Sequence, residues 1–185
     1  MVFGALTHGS ILIDNVPFSL MEVPLIHLRQ SGVDYFANKT SVFISPETIQ
    51  GKMIQPFELA CGTHPGIISD MQPFFVLLAM KAFGKSMIVD YRYPDRIAFL
   101  EELSKFAPGT MEWSSGNAAV IRTKGPVEFT ATEVCSTDLR GSMALLMAAF
   151  STEGSSIVNK AEMALRGYNK LEAKLLALGL DFSIS

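Results

Sequence analysis

The sequence predicts an α/β domain made of three copies of one unit, with the first and last copies incomplete. Three observations carry that reading. A glycine leading into a short apolar strand recurs, at Gly9 before Ile11-Leu12-Ile13, at Gly84 before Met87-Ile88-Val89 and at Gly154 before Ile157-Val158, with a spacing of roughly 70 residues. After each of these strands comes an amphipathic stretch that ends in a glycine turn: Leu20 to Gly32, Arg96 to Gly109 with Pro108 in the break, and Arg166 to Gly179. With 49% hydrophobic residues in 185, the chain has ample material for one buried core.

Taken in order, Val2-Phe3-Gly4-Ala5-Leu6 reads as the end of a helix whose unit begins late. The strand after Gly9 follows, then a helix from Leu20, then Val33 to Ala37 and Ser41 to Ile44 as a hairpin-like pair. The second unit is whole. It opens with the strand Phe57-Glu58-Leu59-Ala60, continues through a helix entered at Ser69, and closes with strands at Thr110 to Trp113 and Ala118 to Ile121. In the third, Phe129-Thr130-Ala131-Thr132 is the matching strand, Thr137 opens the matching helix, and Asp181-Phe182-Ser183-Ile184 begins a final strand pair that stops. One domain over residues 1–185, with repeats near 1–50, 51–123 and 124–185, is therefore expected. A strand missing from each end leaves sheet edges that something must cover.

A formal net charge of −3 with scattered Lys and Arg argues against a nucleic-acid partner. The apolar runs break well before a bilayer-spanning length and no charged leader opens the chain, so a cytoplasmic protein with no membrane partner is expected. Cys61 and Cys135 form no disulfide framework and no zinc-site spacing, and read as free thiols in strands. No metal or cofactor is implied. Ser69 and Gln72 make a capping-box pattern that starts a helix through Phe74, Phe75, Leu77, Leu78 and Met80. Asp70 then lies in its first turn, where free N–H groups and the helix dipole favour a carboxylate or a bound anion. On pattern alone it either serves the cap or belongs to a site. Thr137-Asp138-Leu139 repeats the arrangement and makes Asp138 its twin. His64 reads as a loop residue, His8 and His27 as surface or packing residues, and Trp113, Met143 and Met147 as core.

The motifs Ser69-Asp70-Met71-Gln72, Thr137-Asp138-Leu139-Arg140 and Leu165-Arg166-Gly167-Tyr168 occur in a fixed order with Tyr93-Pro94-Asp95-Arg96-Ile97 and Glu172-Ala173-Lys174-Leu175-Leu176-Ala177-Leu178-Gly179. In that order and spacing the chain, from near Phe3 to its end, resembles the C-terminal part of the UDP-N-acetylglucosamine 1-carboxyvinyltransferase group of enolpyruvyl transferases. The resemblance implies an inside-out α/β barrel of three βαβαββ units, helices packed together inside and sheets outside. It also implies transfer of the enolpyruvyl group of phosphoenolpyruvate to a sugar 3-hydroxyl, in a cleft between this domain and a second one. Position by position, Asp70 matches the aspartate that takes the hydroxyl proton, Arg166 an arginine that holds the phosphoenolpyruvate anion, and Asp138 a second acid of the cleft. Ser69, Arg92, Arg96 and Arg140 fall among the implied substrate contacts. Guanidinium forks suit phosphate and carboxylate, and paired carboxylates suit proton transfer.

The chain departs from the pattern at several places. Leu165 stands where the family has Asp, Asn169 where it has Glu, and Arg92 replaces an apolar residue near the nucleotide sugar. Neither Cys61 nor Cys135 occupies the place of the family's loop cysteine, which, like its N-terminal lysine, belongs to segments outside this sequence. Two readings follow. The domain works in an enolpyruvyl transferase when completed by a second domain, with phosphoenolpyruvate and a nucleotide sugar as ligands; or it is a non-catalytic relative used for binding or assembly, as a homodimer whose copies cover each other's open edges.

Overall fold

The computed structural model describes residues 1–49 and 53–184. In chain order it contains α1 (Val2–Thr7), β1 (Ile11–Ile13), α2 (Phe18–Gln30), β2 (Phe36–Ala37), β3 (Val42–Ile44), β4 (Glu58–Gly62), β5 (Ile67–Ile68), α3 (Gln72–Met80), β6 (Lys85–Asp90) and α4 (Ala98–Ser104). It continues with β7 (Met111–Ser114), β8 (Ala119–Lys124), β9 (Glu133–Cys135), α5 (Leu139–Ala149), β10 (Ile157–Asn159), α6 (Glu162–Gly167) and α7 (Leu171–Ala177). The boundary expected between residues 50 and 51 lies outside the described residues.

The most apolar run of the chain becomes its centre. Phe75, Val76, Leu77, Leu78, Ala79 and Met80 of α3 are all buried, which is what a helix apolar on every side requires. Around it, α1 and α5 pack as neighbours, and β6 and β8 cover another side. Strands β4, β6 and β8 each bury alternate residues, so one face of the sheet meets these helices and the other meets water. Helices inside and sheets outside is the arrangement expected, although among the described residues the strands form three separate sheets and none closes into a barrel.

The sheets themselves carry the repeat. The central sheet has the order β5-β4-β6-β8-β7, with β4 parallel to β6 and the β6, β8 and β7 ladders antiparallel. The first sheet, β1-β3-β2, reproduces the antiparallel half, β6-β8-β7. The third, β9 beside β10, reproduces the parallel half, β4 beside β6. Helix α1 stands where α3 and α5 stand in their units and, like them, runs directly into a strand of its sheet.

Four expectations need correction. Phe129 to Thr132 form no continuous strand: Thr130 makes an isolated bridge to Glu153 and the ladder starts at Glu133, because Phe129 turns into the core against Phe106, and the Thr130 N–H and hydroxyl both donate to the Phe106 carbonyl. Asp181 to Ile184 form no strand either. In the central sheet the equivalent strand, β7, is held by its pairing with β8, and among the described residues no strand lies beside Asp181 to Ile184 to pair with it. The stretch expected as one helix from Arg166 is two, α6 and α7, broken by an extended Tyr168 and a left-handed Lys170. Arg166 thus ends a helix instead of opening one, and there the dipole favours a cation. The break follows from packing: a Cβ on Gly167 would run into the Leu139 side chain of α5, so this segment approaches α5 as only glycine allows. Finally, Ser69 caps nothing. Ser69–Met71 is a 3-10 turn that runs into α3, and its hydroxyl is used elsewhere.

Truncating the centre should show in stability. Leu77→Ala, at a side chain with no exposed surface, is expected to lower the unfolding free energy by about 3 kcal/mol, measured as a shift of the urea midpoint.

Candidate active site

Because β4 runs parallel to β6, and β9 parallel to β10, both members of each pair end at the same rim of their sheet. The predicted residues follow those ends. Asp70 comes after β4 and β5, Arg92 and Arg96 after β6, Asp138 and Arg140 after β9, and Arg166 after β10.

At the rim the structure joins residues that are far apart in the chain. Asp70 Oδ1 accepts from Arg96 Nη1 and Asp70 Oδ2 from Arg140 Nη2, each at 2.6 Å. The three side chains are 37%, 31% and 37% exposed respectively, so the cluster is half-buried but open to a ligand. The first arginine belongs to the loop after β6 and the second to the first turn of α5. The carboxylate therefore links the second unit to the third. Arg96 is held from another side as well, its guanidinium 4.0 Å from the centre of the Tyr93 ring, and Arg92 lies 5.3 Å from the same centre.

Asp138 does a different job from its twin. Its Oδ1 accepts from the backbone N–H groups of Arg140 and Gly141, both at 3.0 Å, a true N-cap of α5. The cap fixes the first turn and with it the backbone from which Arg140 reaches Asp70. Gly141 is needed there, since a Cβ would come within 2.6 Å of Phe99 Cβ and 2.7 Å of Asp138 Oδ2.

A further residue organises the rim, one that the sequence reading did not single out. Asp90, at the end of β6, has no exposed surface and accepts four hydrogen bonds. The donors are Ser69 Oγ at 2.9 Å, Gln72 Nε2 at 3.3 Å and the backbone N–H groups of Arg92 and Tyr93 at 2.9 and 3.1 Å. Ser69 and Gln72 flank Asp70, while Arg92 and Tyr93 begin the loop that carries Arg96. One buried carboxylate thus sets the separation of Asp70 and Arg96. Its signal in the sequence was register: Ser86, Ile88 and Asp90 share the inward face of β6, where a charged residue needs several donors. Ser69, expected at a ligand, is buried and spends its hydroxyl here.

Arg166 is exposed on the last turn of α6, and no ion pair joins it to Asp70 or Asp138 among the described residues. Its neighbour Tyr168 does feel the cluster. Burial raises the phenol's pKa above its ordinary value, the Arg140 charge opposes that, and the Asp70 and Asp138 charges add to it. His64 is exposed in the turn before β5, and Met147 is buried in the core, where Met143 and Trp113 pack against it. A groove of about 650 Å³ lies at the other end of the central helices, among His8, Lys81, Phe83, Glu128, Phe150 and Glu153, and holds none of the predicted residues. Among the described residues no His, Cys, Asp and Glu cluster could hold a metal, and no helix is long and apolar enough to cross a membrane.

The rim can hold an anion. Two guanidinium groups share one carboxylate, next to the start of α5, and an exchangeable carboxylate among fixed cations is suited to moving a proton. The family model described as EPSP synthase (3-phosphoshikimate 1-carboxyvinyltransferase) matches residues 1–175. The chain belongs to this family.

Curated members of the enolpyruvyl-transferring group resemble it over nearly its whole length. The UDP-N-acetylglucosamine 1-carboxyvinyltransferase of a Nitratiruptor species is 35% identical over 178 residues, 96% of this chain and 40% of that protein. That of Koribacter versatilis is 30% identical over 98% of this chain and 40% of that protein. The crystal structure of the enolpyruvyl transferase NikO from Streptomyces tendae superimposes with a TM-score of 0.79 at 24% identity, covering 97% of this chain and 42% of that one. That likeness shows the shared fold. The chain spans about 40% of the length of the curated relatives it matches.

Two predictions follow from Asp90. Asp90→Asn replaces an acceptor oxygen by a donor that faces other donors, and is expected to cost about 2 kcal/mol of stability in urea unfolding. The second concerns Cys61, paired with Asp90 across the β4–β6 ladder. Burial, then the Asp90 charge, push its thiol from 9.0 up to about 12. The unfolded chain ionises the thiol first, so this stability is complete below about pH 9 and is lost as the pH rises toward about 12. Urea midpoints measured on that rising limb should fall more steeply for the unmodified chain than for Cys61→Ala.

Proposed function

We propose that the chain is the part of an enolpyruvyl transferase that carries the proton acceptor and most of the donor's anion site. Completed by a second domain of the same kind, it moves the enolpyruvyl group of phosphoenolpyruvate to the 3-hydroxyl of UDP-N-acetylglucosamine or a related sugar, releasing phosphate. The grip of Arg96 and Arg140 on Asp70 is the observation that carries this reading. At the rim, Asp138 and Asp90 accept from backbone N–H groups, whereas both Asp70 oxygens accept from side chains, and it is Asp70 that takes the proton of the sugar hydroxyl. Arg96 and Arg140 hold the donor's carboxylate or phosphate bidentately, and Arg166 closes on the same anion from the end of α6.

Asp138 holds Arg140 through the α5 cap, and Asp90, with Ser69 and Gln72, holds Asp70 at its working distance from Arg96. Arg92 and the exposed Tyr93 form the side on which the nucleotide sugar rests. The relatives named UDP-N-acetylglucosamine 1-carboxyvinyltransferase favour that acceptor. The setting is the cytoplasm, on the route to peptidoglycan.

A second reading has its own observation. Among the described residues β1 pairs only with β3 and β10 only with β9, so each presents an open edge. Edges of this kind favour an assembly role in which two copies of the chain pair, without catalysis. Sedimentation of the purified chain separates the readings, since the assembly role requires a stable dimer and the catalytic role does not.

The catalytic reading is tested by calorimetric titration of phosphoenolpyruvate and UDP-N-acetylglucosamine, together with phosphate release in the presence of a polypeptide supplying the second domain. Phosphoenolpyruvate binding is expected to weaken about tenfold or more in Arg140→Ala and in Arg96→Ala, roughly the loss of one charge-assisted pair. Neither binding nor phosphate release, with or without the second domain, would end this reading.

A further inference from the structure

We infer that Asp70 occupies the anion site itself, so that a carboxylate-bearing ligand must displace it from Arg96 and Arg140 before it can act as a base. The inference rests on the assignment of these three residues made above and concerns how that site is switched on. Both Asp70 oxygens are taken, one by each guanidinium, and a carboxylate so engaged presents no free oxygen to a hydroxyl. Asp70 is also the one acidic side chain paired with either arginine among the described residues.

Among the described residues, the two other acids beside Asp70 at the rim are engaged elsewhere. Asp138 Oδ1 is committed to two backbone N–H groups of α5, and Asp90 Oδ1 and Oδ2 are committed to four donors beneath the rim. Removal of Asp70 from the forks therefore leaves two half-buried guanidinium groups facing each other across an opening. Arg96 keeps its place on the Tyr93 ring, and Arg140 keeps the backbone position that the α5 cap gives it. The opening is complementary in charge and spacing to the group that left it, a planar carboxylate with one oxygen on each guanidinium. A ligand carboxylate thus exchanges for the Asp70 carboxylate with no change in net charge at the arginines. The released Asp70 swings free on its 3-10 turn, whose flanking residues Ser69 and Gln72 stay anchored to Asp90.

This makes an uncommon prediction: removing the acid improves anion binding. Pyruvate, phosphoenolpyruvate and inorganic phosphate are titrated into the unmodified chain, Asp70→Asn and Asp70→Ala at low ionic strength, with circular dichroism as the check on folding. Asp70→Asn keeps the shape of the side chain should Asp70→Ala not fold. Asp95→Asn, at an exposed acid next to Arg96, serves as the control for loss of one negative charge.

Pyruvate and phosphoenolpyruvate are expected to bind at least fivefold more tightly to the Asp70 variants, with less than a twofold change in Asp95→Asn. Tightening for inorganic phosphate alone would overturn the carboxylate assignment. Equal tightening in Asp95→Asn would reduce the effect to bulk charge and overturn the inference. If the unmodified chain binds these anions and the Asp70 variants bind no tighter, self-occupancy is wrong while the anion site stands. If no variant binds any of them, the anion site fails and self-occupancy fails with it.

Discussion

One carboxylate between two guanidinium groups ties this domain's second unit to its third. Asp70 follows β4, Arg96 follows β6 and Arg140 follows β9, and they meet because parallel pairing brings the strand ends to a common rim. An antiparallel partner for β4 would send one of those loops to the opposite end of the sheet. The site is therefore a property of topology before it is a property of residues. Chemistry placed just beyond the carboxyl ends of parallel strands is the general habit of α/β sheets, and here it recurs on two sheets that share the α3–α5 core.

Below that rim the chain separates two tasks that a carboxylate can perform. Asp90 is buried and saturated by four donors, so it fixes geometry and offers nothing to a ligand. Asp70 is partly exposed and, among the described residues, accepts only from the side chains of Arg96 and Arg140. The twin motifs at Asp70 and Asp138 divide in the same way. Asp138 sits in extended backbone and caps α5, whereas Asp70 lies inside a 3-10 turn and points away from the helix it precedes. Identical positions in a repeat have diverged because the hydroxyl before Asp70 found a buried acceptor and Thr137, exposed, did not.

Much of this was legible in the chain itself. The apolar run through Phe74 to Met80 could only be a buried helix, and the recurring glycine-led strands placed β1, β6 and β10 correctly. The family resemblance marked Asp70, Arg96, Asp138 and Arg140, and the structure brings these four to one rim. What stayed hidden depends on contacts between segments. The break at Gly167 needs the Leu139 side chain of α5; the displaced strand start at Glu133 needs the Phe106 carbonyl; the lost strand at Asp181 to Ile184 needs a partner strand. Ser69 shows the same limit at the scale of one hydroxyl. Its local capping partner was visible in the sequence, but its stronger acceptor, Asp90, lies 21 residues away.

The account stands or falls on where an anion sits. A crystal structure of the chain soaked with phosphoenolpyruvate decides it most directly. Density for the ligand carboxylate between Arg96 and Arg140, with the Asp70 side chain turned out of their forks, is the predicted result. Density only in the groove at the far ends of the central helices, beside His8 and Lys81, with Asp70 still paired to both arginines, would contradict it.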